Sequence, residues 1–182
     1  MRILWTILLL CAALWSPMAL ASTPLVHDGV VSGSISAAGE QDEFTFEASA
    51  GDQALIRIVD TSGSYNFEPY VWIYNPDGTL LGSWSAETVV ALNCSPTSTT
   101  CRFEQSGTYR LLVMDDGYHN GGSYDIRYVR PEESNQNAAL VHDDVISDEI
   151  AGAGDINSHL VQLDAGDQAL IRIVDTSGSY NF

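Results

Sequence analysis

AGDQALIRIVDTSGSYNF, residues 50–67, returns letter for letter as residues 165–182. The stretch opens on Ala50-Gly51-Asp52, a turn composition, and runs into residues 53–60, where Ala54, Ile56 and Ile58 share one face and Arg57 lies opposite. Period-two alternation rich in β-branched residues predicts a strand on a packed, pleated surface. A strand that occurs twice, 115 residues apart, makes the chain a tandem repeat of a β-rich unit.

The repetition extends upstream. Leu140-Val141-His142-Asp143 repeats Leu25-Val26-His27-Asp28, and 27 of the 43 positions from Leu25 to Phe67 recur, with Phe44 replaced by His159 and Phe46 by Val161. The expected organisation is one complete unit at residues 22–130, a polar, Pro-led linker at 131–139 and an incomplete second unit at 140–182. The second unit stops before the equivalents of residues 70–129, so its strands would leave unpaired edges. A fragment of a longer tandem array, or a half-unit that pairs with another chain, fits this pattern.

Short runs of alternating polarity, punctuated by Asn, Gly, Ser and Asp, fill the first unit, and no stretch sustains a helical period. Residues 42–47 put Phe44 and Phe46 on one face and Glu43, Thr45 and Glu47 on the other. Residues 70–74 and 79–84 flank Asn75-Pro76-Asp77-Gly78, a type I turn in a hairpin because Pro presets φ at its second position. Gly107-Thr108-Tyr109 opens a strand at 110–114 with Tyr109, Leu111 and Val113 inward. Residues 123–129 turn Tyr124, Ile126 and Tyr128 inward. With short strands near 30–35 and 88–92, about eight strands predict an all-β antiparallel sandwich.

Twenty-four acidic residues face seven Arg and no Lys, a net charge of −17. Such a surface repels phosphate backbones and anionic headgroups, which argues against nucleic acid and membrane surfaces as partners. Residues 1–21 combine Arg2, an apolar run and Ala19-Leu20-Ala21, the layout of a secretory signal cleaved after Ala21. The run is shorter than the ~20 residues of a membrane span. Export implies a secreted or cell-surface protein, with the periplasm as the alternative compartment. In that oxidising setting Cys94 and Cys101, bracketing a Ser/Thr/Pro loop, predict a local disulfide.

Asp42-Glu43-Phe44-Thr45-Phe46, Ala50-Gly51-Asp52, Tyr74-Asn75-Pro76-Asp77-Gly78, Gly107-Thr108-Tyr109 and Gly122-Ser123-Tyr124, in this order, resemble the bacterial pre-peptidase C-terminal domain. The resemblance covers about residues 31–129 and recurs in truncated form from Ile146. It implies a jelly-roll-like β-sandwich, non-catalytic, attached to secreted hydrolases or strung along surface proteins, where it assists secretion, localisation or substrate binding. Related collagen-binding modules bind calcium, which by analogy makes Glu40 and Asp42 calcium candidates. No peptidase domain precedes the unit, which favours a repeat array or an incomplete gene product.

No catalytic residue is expected. The histidines, His27, His119, His142 and His159, fall in no zinc motif, a Gly-x-Ser-x-Gly elbow is absent, and Gly152-Ala153-Gly154 lacks the rest of a dinucleotide loop. Asp115, Asp116 and Asn120 gather oxygen ligands on a Gly-rich loop, suited to calcium but without EF-hand spacing. Tyr70, Trp72 and Tyr74 alternate with Val71 and Ile73, and only one set can face the core. Large rings ordinarily dominate burial, which favours turning the aromatics inward; outward, they would form a surface for an extracellular polymer or protein. The expected function is a secreted, non-catalytic accessory or binding module. The alternatives are the N-terminal part of a secreted hydrolase, or a calcium-stabilised surface repeat.

Overall fold

A computed structural model describes residues 22–131, 140, 145–150, 156–157, 159 and 161–176. The expected signal at 1–21, most of the linker, His142 and Gly152-Ala153-Gly154 lie outside these residues. Among the described residues nine strands form: β1 (Thr23–Pro24), β2 (Val30–Ile35), β3 (Asp42–Ala48), β4 (Ala54–Asp60), β5 (Pro69–Tyr74), β6 (Leu80–Ser85), β7 (Val89–Cys94), β8 (Gly107–Asp115) and β9 (Gly122–Val129). Among the described residues there is no helix, and so none long and apolar enough to cross a membrane.

The strands build two facing sheets, in the orders β1-β3-β8-β5-β6 and β2-β9-β4-β7. Pairing runs from the ends of the unit inward: β2 with β9, β3 with β8, β4 with β7 and β5 with β6, all antiparallel. That nesting is one long hairpin rolled over on itself, the winding of a jelly roll. It adds one strand to the expected eight, because β1 lies parallel on the edge of β3. The strand expected at 88–92 forms at Val89–Cys94, so that Cys94 closes β7 and bonds Cys101 across the following loop.

The alternation read from the sequence places the core. Phe44, Phe46, Ala54, Ile56, Ile58, Tyr109, Leu111, Val113, Tyr124, Ile126 and Tyr128 are all buried between the sheets. Aromatic rings fill the centre: Phe46 stacks on Tyr109 at 5.4 Å and meets Tyr128 at 5.0 Å, while Phe67 stacks on Tyr124 at 6.3 Å. Turns follow their residues. Gly78 N–H donates to Asn75 O at 2.9 Å and Gly78 takes φ 84°, closing the β5–β6 hairpin.

Candidate functional site

The centre of interest is the outer face of the five-stranded sheet. Contrary to the inward preference of large rings, Val71 and Ile73 are at 0% exposure and Tyr70, Trp72 and Tyr74 are half-buried on the outside. Register decides this. Val71 pairs with Val113 and Ile73 with Leu111, both inward residues of β8, in an interior already filled by rings from β3, β8 and β9. No room remains for three more.

The outer positions then form a grid across three pairings. Tyr74 lies opposite Arg110, Trp72 opposite Leu112 and Tyr70 opposite Met114, while Trp72 and Tyr70 face Ser83 and Ser85 of β6 on their other side. Glu43 and Thr45 of β3 continue the rows beyond Leu112 and Arg110. Tyr70 meets Trp72 edge-on at 5.9 Å and 86°, and Trp72 meets Tyr74 at 6.2 Å and 56°. The rings therefore pack on one another as a raised apolar ridge rather than one flat platform. The Arg110 guanidinium sits 4.6 Å from the Tyr74 ring centre and 3.6 Å from the Glu43 carboxylate, a cation–π contact with an exposed ion pair.

Leu112 and Met114 belong to this site although the alternation of β8 left them on the solvent side. They are buried beside Trp72 and Tyr70 on the same face, and Gln41 Nε2 donates to Met114 Sδ at 3.8 Å. The signal was present in the sequence: Leu111-Leu112-Val113-Met114 is an unbroken apolar run, which belongs to a strand covered on both faces. The Trp72 Nε1–H is enclosed without an acceptor among the described residues, at a cost of about 1–3 kcal/mol.

The calcium candidates have mostly found protein donors. The buried Asp115 carboxylate accepts the backbone N–H groups of Glu68, His119 and Asn120 at 3.3, 3.0 and 2.9 Å. Glu40 accepts those of Ser36 and Ala37, at 2.6 and 2.9 Å. Asp42 accepts the Tyr124 hydroxyl at 2.5 Å. Burial, then that bond and the charges of Asp42 and Glu40, push the Tyr124 phenol far above its ordinary range. Asp116 and Asn120 are exposed at the loop rim. Among the described residues, no three His, Cys, Asp or Glu side chains converge on a point that would hold a metal. His27 Nδ1 accepts the Arg130 N–H at 3.0 Å, and His159 lies 3.4 Å from Asp148.

No protein-family model matches the chain, and no curated protein does. Solved structures do resemble it. A pre-peptidase C-terminal domain of collagenase from Bacillus anthracis is 13% identical, with a TM-score of 0.44, over 59% of this chain and 94% of that one. A periplasmic inhibitor of g-type lysozyme from Aeromonas hydrophila is 15% identical, with a TM-score of 0.43, over 59% and 94%. Its counterpart from Salmonella Typhimurium is 16% identical, with a TM-score of 0.39, over 59% and 96%.

Proposed function

We propose that the chain is a non-catalytic binding module that works outside the cytoplasm and holds an extracellular protein or polymer on the ridge of Tyr70, Trp72 and Tyr74. The observation that carries this reading is the outward turn of those rings beside buried Leu112 and Met114. An apolar patch rimmed by Glu43, Thr45, Arg110, Ser83 and Ser85 has the make-up of an interaction surface. The Cys94–Cys101 bond suits an oxidising compartment. Co-sedimentation of the full chain with insoluble extracellular polymers and titration with secreted proteins test it. Trp72→Ala with Tyr74→Ala is expected to weaken binding at least tenfold while the chain still melts cooperatively, at a somewhat lower temperature. Equal binding by both chains, or no binding by either, sinks the reading.

Calcium would have to act through oxygens that the protein does not already engage. Asp116 and Asn120 supply them. A calcium-dependent rise in melting temperature that disappears in Asp116→Asn would assign the ion to this loop.

A further inference from the structure

The letters shared by residues 50–61 and 165–176 are found in two different states. As β4, Ile56 and Ile58 are at 0% exposure between β7 and β9. At residues 169–175 the same letters form no strand, and Leu170 and Ile173 are 98% and 92% exposed. Yet the turn leading into each copy is the same. Ser49 N–H reaches the Asp52 carboxylate at 2.8 Å and Asp52 N–H returns to Ser49 O at 3.0 Å; Asp164 and Asp167 repeat these bonds at 2.9 and 3.0 Å. Gly51 and Gly166 take φ 88° and 100°. Upstream, Leu25 N–H donates to Thr45 O alongside the parallel β1–β3 pairing, and Leu140 forms a parallel bridge with Val161, the counterpart of Phe46.

We propose that residues 169–175 are a second occupant of the β4 slot, entering it between β7 and β9 of their own molecule while residues 54–60 are released. Because the side chains are identical, the incoming copy restores the packing and the ladder hydrogen bonds of the outgoing one, and only the connections distinguish the two states. The native arrangement closes loops 49–53 and 61–68; the exchanged one closes loops 49–68 and 130–168. Loop-closure cost grows as (3/2)RT ln n, so closure probability falls with the 3/2 power of length, and the longer loops place about one molecule in 10² in the exchanged state. The tether favours the same molecule over a neighbour. Ile150, Ile156 and Asn157 share a groove with Leu55, Arg57, Ala91 and Asn93, on the outer face of β4 and β7. A tethered strand there has an effective concentration of order mM.

The test uses the full chain. Ile56→Asp with Ile58→Asp puts carboxylates into the core and disables the local strand. That variant is expected to keep its near-UV circular dichroism and cooperative melting as a monomer, because the second copy fills the slot; adding Ile171→Asp and Ile173→Asp removes both signals. A two-site variant as unfolded as the four-site variant overturns the proposal, and so does one that folds only as a dimer. A second measurement leaves the core intact. In the unsubstituted chain the Ile56 and Ile58 amides should exchange with protection of only about 10², well below Ile126 of β9. Ile171→Asp with Ile173→Asp should raise them to the Ile126 level, whereas unchanged protection overturns the exchange.

Discussion

Two side chains tie distant parts of the chain together through a few polar contacts. The Tyr124 ring passes so close to Gly33 that a Cβ there would lie 2.5 Å from it, and this path brings the hydroxyl to Asp42. Tyr124→Phe leaves Asp42 without its donor and is expected to cost about 2 kcal/mol in urea unfolding. It also changes the alkaline limb. The folded state holds the phenol proton more tightly than the unfolded state, whose tyrosine titrates near 10.0. Stability from this group is therefore complete below pH 10 and declines as pH rises above it, and Tyr124→Phe should flatten that decline in melting temperature. At the same end of the sandwich, Asp115→Ala strands three backbone N–H groups in or beside the interior. It should cost about 3 kcal/mol, read as a shift of the urea midpoint at constant slope.

Among the elements, β5 shows how one strand serves core and surface at once. Its inward Val71 fills the interior, whereas its outward Tyr74 lies on the ridge. Val71→Ala should therefore destabilise by about 2 kcal/mol. Tyr74→Ala, which leaves the interior untouched, should cost less than about 1 kcal/mol. Equal losses in urea unfolding would contradict the assigned orientation. The parity of this strand was not legible in the sequence, because Tyr70-Val71-Trp72-Ile73-Tyr74 is apolar on both faces. Where one face was polar, as in Glu43, Thr45 and Glu47 against Phe44 and Phe46, the alternation sufficed.

For the whole molecule, the net charge of −17 is a standing self-repulsion. Raising ionic strength from about 0.01 to 0.15 M shortens the screening length from about 30 to 8 Å, and the melting temperature is expected to rise; a fall would mean that ion pairs such as Arg127–Asp28 and Arg130–Asp52 outweigh the repulsion. The sandwich class, the strand positions within a few residues, the Asn75–Gly78 turn and the Cys94–Cys101 bond were all readable, since each rests on residues near in sequence. The outward aromatic ridge was readable only as an alternative. Its buried neighbours, Leu112 and Met114, follow from the place of β8 between β3 and β5. The duplicated stretch separates the two kinds of information most directly. Its turn, Asp52 with Gly51 or Asp167 with Gly166, forms in both copies because the donors, the carboxylate and the glycine lie within four residues. Its strand forms only at residues 54–60, where β7 and β9 supply hydrogen-bond partners on both edges and the facing sheet buries Ile56 and Ile58. Sequence alone set the turn and the alternation; the strand itself was decided by neighbours, because an extended segment has no internal hydrogen bonds to hold it.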